Sequence, residues 1–137
     1  MKKILSILFT AIILCNVGQA QCKCGTTSTA YNWSPITVSS PPLPIRKVKC
    51  GHQFKICTGD TIALNAKFNC MGGCNAYYKT VLKRNGRVIA TEGFESAEIF
   101  YMRRLGLPGR YELTFNPVCG NNLCRPCVFY ITVNSCR

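Results

Sequence analysis

Gly109-Arg-Tyr-Glu-Leu-Thr-Phe-Asn-Pro-Val-Cys-Gly-Asn-Asn-Leu-Cys-Arg-Pro-Cys-Val-Phe-Tyr-Ile-Thr-Val133 reads as two strands joined by a cysteine-rich turn. Tyr111, Leu113 and Phe115 alternate with Arg110, Glu112 and Thr114, and Val128, Tyr130 and Thr132 alternate with Phe129, Ile131 and Val133. A period of two is the mark of a pleated strand, whose successive side chains point to opposite faces. Between the runs sit Asn116-Pro117, Gly120-Asn121-Asn122 and Arg125-Pro126, all turn residues, with Cys119, Cys124 and Cys127 where covalent staples would hold them. The stretch predicts a hairpin that closes an all-β domain.

Moving outward, the strongest sheet signal is Thr61 to Asn69, where Ile62, Leu64, Ala66 and Phe68 oppose Thr61, Ala63, Asn65, Lys67 and Asn69. Ile62, Leu64 and Phe68 are therefore expected in the core. Tyr77 to Arg84 and Arg87 to Thr91 flank Asn85-Gly86, the strongest short hairpin signal. Ala97 to Met102 predicts a further strand, and Arg103 to Pro108 leads into the closing hairpin. Upstream, Arg46 to Cys50 and Gln53 to Cys57 flank Gly51-His52 in hairpin fashion, with Cys50 and Cys57 within reach of a cross-link. Ser39-Ser40-Pro41-Pro42-Leu43-Pro44 reads as a strand break, because proline has no N–H to donate. Trp33 to Ser39 suits an edge strand, where Pro35 does least harm. Beyond the first twenty residues no helical period, repeat or linker is found, and about seven to nine short strands at this spacing indicate a β-sandwich.

Met1-Lys2-Lys3, the apolar run Ile4 to Leu14 and the small residues Gly18 and Ala20 form the pattern of a signal peptide cleaved before Gln21. The run is shorter than the roughly 20 residues needed to span a bilayer. Residues 21–137 are then expected to form one domain, secreted to the periplasm or the exterior. That segment keeps ten of the eleven cysteines: Cys22, Cys24, Cys50, Cys57, Cys70, Cys74, Cys119, Cys124, Cys127 and Cys136. An even, dense set in an exported chain implies structural disulfides. It also keeps 15 basic residues against 5 acidic ones, a net charge of +10. Such a balance favours anionic partners such as acidic polysaccharide, alongside its plain effect on solubility.

Catalytic chemistry finds little support. Cys124-Arg125-Pro126-Cys127 has the spacing of thiol–disulfide oxidoreductases, but it precedes a strand and not a helix, among eight other cysteines. Zinc thiolates are opposed by an oxidising compartment, and His52, the single histidine, sits on a turn beside a glycine. Asp60 with Glu92, Glu95, Glu98 and Glu112 are all the carboxylates, and Glu95 with Glu98 reads as surface charge on a strand lead-in. The chain is expected to be no enzyme and to need no cofactor or metal.

Pro108-Gly109-Arg110-Tyr111-Glu112-Leu113-Thr114-Phe115 resembles the Gly-x-Tyr-x-Leu-x-Phe start of the penultimate strand in immunoglobulin-like and PKD-like domains. With Trp33, Val48 to Gly51, Tyr77 to Gly86 and the Cys119 to Phe129 segment in the same order, nearly all of residues 21–137 resembles cysteine-rich domains of secreted Bacteroidetes proteins. The resemblance implies an immunoglobulin-like (PKD-like) sandwich with Tyr111 as a tyrosine corner. It also implies that Cys70, Cys74, Cys119, Cys124 and Cys127 gather at one pole, an odd number that means either that one of them reaches a cysteine from elsewhere or that the cluster is smaller. Cys136 would lie at the other pole, where it could tie down the leader through Cys22 or Cys24. Asp60-Thr61-Ile62 resembles the O-glycosylation acceptor of that phylum, Asn32-Trp33-Ser34 fits the N-glycosylation pattern, and no second domain or C-terminal sorting module is expected.

The basic residues carry the functional expectation. Lys79, Lys83, Arg84 and Arg87 surround the Asn85-Gly86 turn, and Arg103, Arg104 and Arg110 line the crossing before the closing strands. Together they are candidates for an anion-binding face, with Tyr77, Tyr78 and Tyr101 as stacking surfaces for sugars. The competing reading puts the tyrosines in the core and leaves the lysines to protect strand edges. The expected role is a non-catalytic binding or surface-interaction module for an acidic polysaccharide or an extracellular protein, with no nucleic-acid partner and no membrane span. A secreted inhibitor or effector, and a structural subunit that polymerises by strand pairing, are the alternatives.

Overall fold

The computed structural model describes residues 22–25, 36–40 and 43–136. Their strands are β1 (Lys23–Cys24), β2 (Ile36–Ser40), β3 (Leu43–Val48), β4 (Gln53–Cys57), β5 (Thr61–Lys67), β6 (Cys70–Met71), β7 (Ala76–Arg84), β8 (Arg87–Phe94), β9 (Glu98–Arg104), β10 (Gly109–Cys119), β11 (Asn122–Leu123) and β12 (Cys127–Asn134). The sequence-based signal peptide, Trp33 and the Asn32 sequon lie outside the described residues.

β10 is the centre of the larger sheet, whose order is β4-β12-β10-β7-β8, with β11 attached to β10. The smaller sheet of the sandwich has the order β3-β2-β5-β9, and β1 pairs with β6 in a separate two-stranded ribbon. The chain passes from β5 to the larger sheet for β7 and β8, back for β9, and over again for β10 and β12. β4 pairs in parallel with β12, and the other pairs in these sheets are antiparallel. This is an immunoglobulin-like β-sandwich.

The period-two pattern becomes a layered core. Tyr111, Leu113, Phe115 and Cys119 from β10, and Cys127, Phe129, Ile131 and Val133 from β12, are buried against Ile62, Leu64, Ala66 and Phe68, together with Ile99 and Tyr101 from β9. Aromatic rings run across this layer in contact: Tyr101 to Phe115 at 5.8 Å, Phe115 to Phe129 at 6.1 Å, and Phe54 to Phe129 at 5.9 Å between centroids. His52 is exposed, as a turn residue should be, with its ring 4.7 Å from that of Phe54. β7 and β8 are joined by Asn85-Gly86 alone, at φ 49° and 82°. Both residues sit in the left-handed region that a two-residue hairpin turn demands.

Three upstream expectations are corrected. β3 and β4 do not form a hairpin: β3 pairs with β2 and β4 with β12, so the Gly51-His52 turn moves the chain from one sheet to the other. β2 is not an edge strand, because it lies between β3 and β5. Pairing also reaches into the proline segment, since Ser40 opposes Leu43 and Pro44 belongs to β3. Pro44 is tolerated there because β3 is the edge of its sheet, where a missing N–H need break no ladder.

All ten cysteines of residues 22–136 are bridged, as Cys22–Cys74, Cys24–Cys124, Cys50–Cys127, Cys57–Cys136 and Cys70–Cys119. The expected Cys50–Cys57 link does not form, because the two residues serve different sheets and reach β12 and its extension separately. Nor does Cys136 hold the leader. Cys57 takes it at the pole where β4 and β12 end, while Cys22 and Cys24 are held at the opposite pole by Cys74 and Cys124. Of the five cysteines expected to cluster, Cys70 and Cys119 bond to each other, and the remaining three reach cysteines from elsewhere.

Two buried tyrosines behave differently. Tyr111 donates its hydroxyl to the Leu107 carbonyl at 2.8 Å, fixing the turn into β10. The Tyr101 hydroxyl is buried with no hydrogen bond of ordinary geometry. Burial raises the Tyr101 pKa above 10.0, and the nearby Arg103 partly offsets the rise. Tyr111→Phe should lower the unfolding free energy by about 1 kcal/mol, while Tyr101→Phe should leave it unchanged or raise it, because an orphaned buried hydroxyl costs what a bonded one returns. Denaturant unfolding of both variants checks this. Because the fold holds the Tyr101 proton more tightly than the unfolded chain does, its contribution is full below pH 10 and declines above it. Tyr101→Phe should therefore flatten the fall of stability in alkaline solution.

Candidate functional site

The outward side of the larger sheet follows from the parity of its strands. With Tyr111, Leu113 and Phe115 turned inward, Arg110, Glu112, Thr114 and Asn116 must face solvent. The registers then set out rows across the sheet. Lys55, Thr132 and Arg110 form one row, and Gln53, Tyr130, Glu112 and Lys83 the next. Val128, Thr114, Val81 and Thr91 follow, then Asn116, Lys79 and Gly93. Glu112, between Tyr130 and Lys83, is the carboxylate of these rows. Tyr130 is 45 % exposed and Tyr77 39 % exposed on the same side. Tyr77 leans across Gly93: a Cβ on Gly93 would come within 2.8 Å of the Tyr77 ring carbon Cζ, so the glycine makes the bed in which the phenol lies.

The seven cations singled out in the sequence do not form one face. Lys79, Lys83 and Arg110 lie on the outward side of the larger sheet. Arg84 and Arg87 oppose each other at the hairpin tip. Arg84 donates from Nε and Nη2 to the Pro108 carbonyl at 3.0 and 2.7 Å. Asn85 completes that corner, accepting from the Arg110 N–H at 3.0 Å and donating its own N–H to the Arg110 carbonyl at 2.7 Å. Arg103 and Arg104 belong to β9 in the other sheet, where Arg104 donates to the Gly59 carbonyl at 3.0 Å. The geometry thus leaves Lys79, Lys83 and Arg110 as a group and adds Lys55, which sequence reading missed because nothing local reveals that β4 pairs with β12.

Two of the three tyrosines offered for stacking follow the competing reading. Tyr78 and Tyr101 are core residues, and Tyr78 packs its ring 5.3 Å from Phe94. Burial, followed by the nearby Glu92, raises the Tyr78 pKa. Tyr130 takes their place on the surface. The signal was present, since Tyr130 alternates with Phe129 and Ile131, whose apolar side chains decide which face is inside.

The cysteines of Cys124-Arg125-Pro126-Cys127 are bonded to Cys24 and Cys50 and not to each other, so they form no dithiol pair. The Sγ atoms of Cys24, Cys119 and Cys124 lie within 4.8 Å of one another, but each is already in a disulfide and offers no thiolate to a metal. Asp60 caps its own turn, its carboxylate accepting from the Cys57 N–H at 2.9 Å. Glu98 meets Lys67 at 3.4 Å on the surface. A shallow, open depression lies beside Cys22, Lys23, Cys24 and Asn122. Among the described residues no helix is long and apolar enough to cross a membrane.

No protein-family model matches the chain, and no curated protein matches it. Among solved structures, domains d3–d4 of the extracellular region of rat CD45 are similar to it, with a TM-score of 0.40 and 18% identity over 80% of this chain and 74% of that one.

Proposed function

We propose that the protein is an exported, non-catalytic interaction module whose ligand-facing surface is the outward side of the larger sheet. Residues 1–20 act as the signal peptide and residues 21–137 as one immunoglobulin-like domain of the PKD-like, cysteine-rich kind found in secreted Bacteroidetes proteins. The five disulfides support maturation in an oxidising compartment outside the cytoplasm. The observation that carries the reading is the placement of Lys55, Lys79, Lys83 and Arg110 on the same face of the sheet as exposed Tyr130 and Tyr77. Cations spaced along a sheet that also exposes phenol rings fit an acidic polysaccharide: carboxylate or sulfate groups meet the cations and sugar faces stack on the rings.

Dextran sulfate serves as the probe. Binding measured by calorimetry should weaken steeply between low and moderate salt, because exposed charges are screened. The pair Lys79→Glu and Lys83→Glu should weaken it by about tenfold or more, whereas Arg104→Gln, on the other sheet, should have little effect. Salt-independent binding, or binding untouched by the double reversal, would sink the proposal. Gly93→Ala should displace the Tyr77 ring, seen as a change in tyrosine fluorescence, and should reduce binding while the fold persists.

A further inference from the structure

The four edges of the two sheets are not alike. β3 carries Pro44, Arg46 and Lys47, and β4 is short and closed near both ends by the bridges at Cys50 and Cys57. β8 has a register shift against Leu82 and Lys83, with Gly93 further along. Proline, charge and irregularity are the ordinary protections of an exposed edge. β9 has no proline, glycine or irregularity: it pairs with β5 in unbroken register from Glu98 to Arg104, and its charges, Glu98, Arg103 and Arg104, stand at its two ends. Among the described residues no strand pairs with its outer side.

The backbone and side chains of β9 carry a matching pattern. Phe68 donates to the Ala97 carbonyl at 3.0 Å, and Leu105 exchanges bonds with the Gly59 to Asp60 segment. Odd-numbered residues thus bond toward β5, and by alternation the N–H and C=O groups of Glu98, Phe100, Met102 and Arg104 point to the open edge. Those four residues also face outward, with Phe100 62 % and Met102 63 % exposed.

We infer that β9 pairs antiparallel with β9 of a second copy of this chain, about a two-fold axis at Tyr101. In that register Phe100 opposes the second copy's Met102, so apolar residues meet in the middle, and Glu98 stands opposite its Arg104, so the ends carry opposite charge although each side chain also keeps its contact on the β5 side, with Lys67 and the Gly59 carbonyl. These are the residues whose backbone groups point outward, so hydrogen-bond parity allows this pairing and side-chain complementarity selects it among the registers that parity allows. A register centred on Phe100 would set Glu98 against Met102 and leave Arg104 without a partner charge. The interface is isologous and closes on itself, giving a dimer and no filament. The two smaller sheets join into one, and both larger sheets lie on the same side of it. Their basic faces then point the same way, a bivalent arrangement suited to a polymeric ligand. Self-pairing rests on the interaction-module reading and names one partner within it.

Sedimentation equilibrium of the oxidised, exported protein, across micromolar to millimolar concentration, tests the pairing together with hydrogen exchange read by NMR. A reversible monomer–dimer equilibrium is expected, with the Phe100 and Met102 amides slowing as the dimer forms. Met102→Lys should raise the dissociation constant by about tenfold or more through lost apolar burial. Leu123→Lys, on β11 of the larger sheet, should leave it unchanged. A monomer at every concentration, a dimer indifferent to Met102→Lys, or fast exchange of both amides in the dimer would each overturn the inference. A monomer that still binds dextran sulfate in a salt-dependent way would overturn self-pairing alone and leave the binding face standing.

Discussion

The hydrogen-bonded position of β10 between β7 and β12 is the constraint from which the rest of the structure follows. Its side chains alternate so regularly that a slip of one residue would turn Glu112 inward and expose Leu113 and Phe115, which no core of this size tolerates. Both ends are also pinned. The Tyr111 hydroxyl holds the incoming turn through Leu107, and Cys119 is bonded to Cys70 at the other end. With β10 fixed, the inward faces of β7 and β12 are fixed by register, and so are the rows of Lys83, Glu112 and Tyr130 on the opposite side.

What could be read from the sequence was what is local. Strict alternation located β5 with its buried Ile62 and Leu64, and Phe68 just beyond it, and Asn85-Gly86 located the β7–β8 turn because few other pairs accept two left-handed residues in succession. Partnership between strands was not legible. Arg46 to Cys57 looks like a hairpin because a glycine-containing turn sits between two short runs, yet the same turn serves equally well to carry the chain between sheets. The cysteine assignment failed for that reason, since Cys50 and Cys57 are near in sequence while their strands lie in different layers. For the surface, alternation placed Tyr77 and Tyr78 on opposite faces without saying which face was wet. The answer lay in Leu82, on the face of Tyr78, which only the core could claim.

The two sheets present solvent with different chemistry. The larger one shows cations spaced by tyrosine and threonine, while β9 of the smaller one shows Phe100 and Met102 flanked by Glu98 and Arg104. Arginines that looked alike in the sequence have separate duties: Arg84 and Arg104 each close a corner by bonding a backbone carbonyl, at Pro108 and Gly59. Positive charge is therefore partly structural here, and the total of the sequence overstates what is available to a ligand.

The disulfides join residues between 49 and 100 positions apart, and no bridge links cysteines adjacent in chain order. A chain threaded outward from its N-terminus would expose Cys22 and Cys24 together long before Cys74 and Cys124 emerged. An oxidant that paired thiols as they appeared would join Cys22 to Cys24 and Cys50 to Cys57, both wrong. Native pairing therefore requires either that the thiols stay reduced until the sheets have assembled, or that an isomerase reshuffles early bonds. The order of oxidation, and not the number of bridges, is what maturation of this protein has to control.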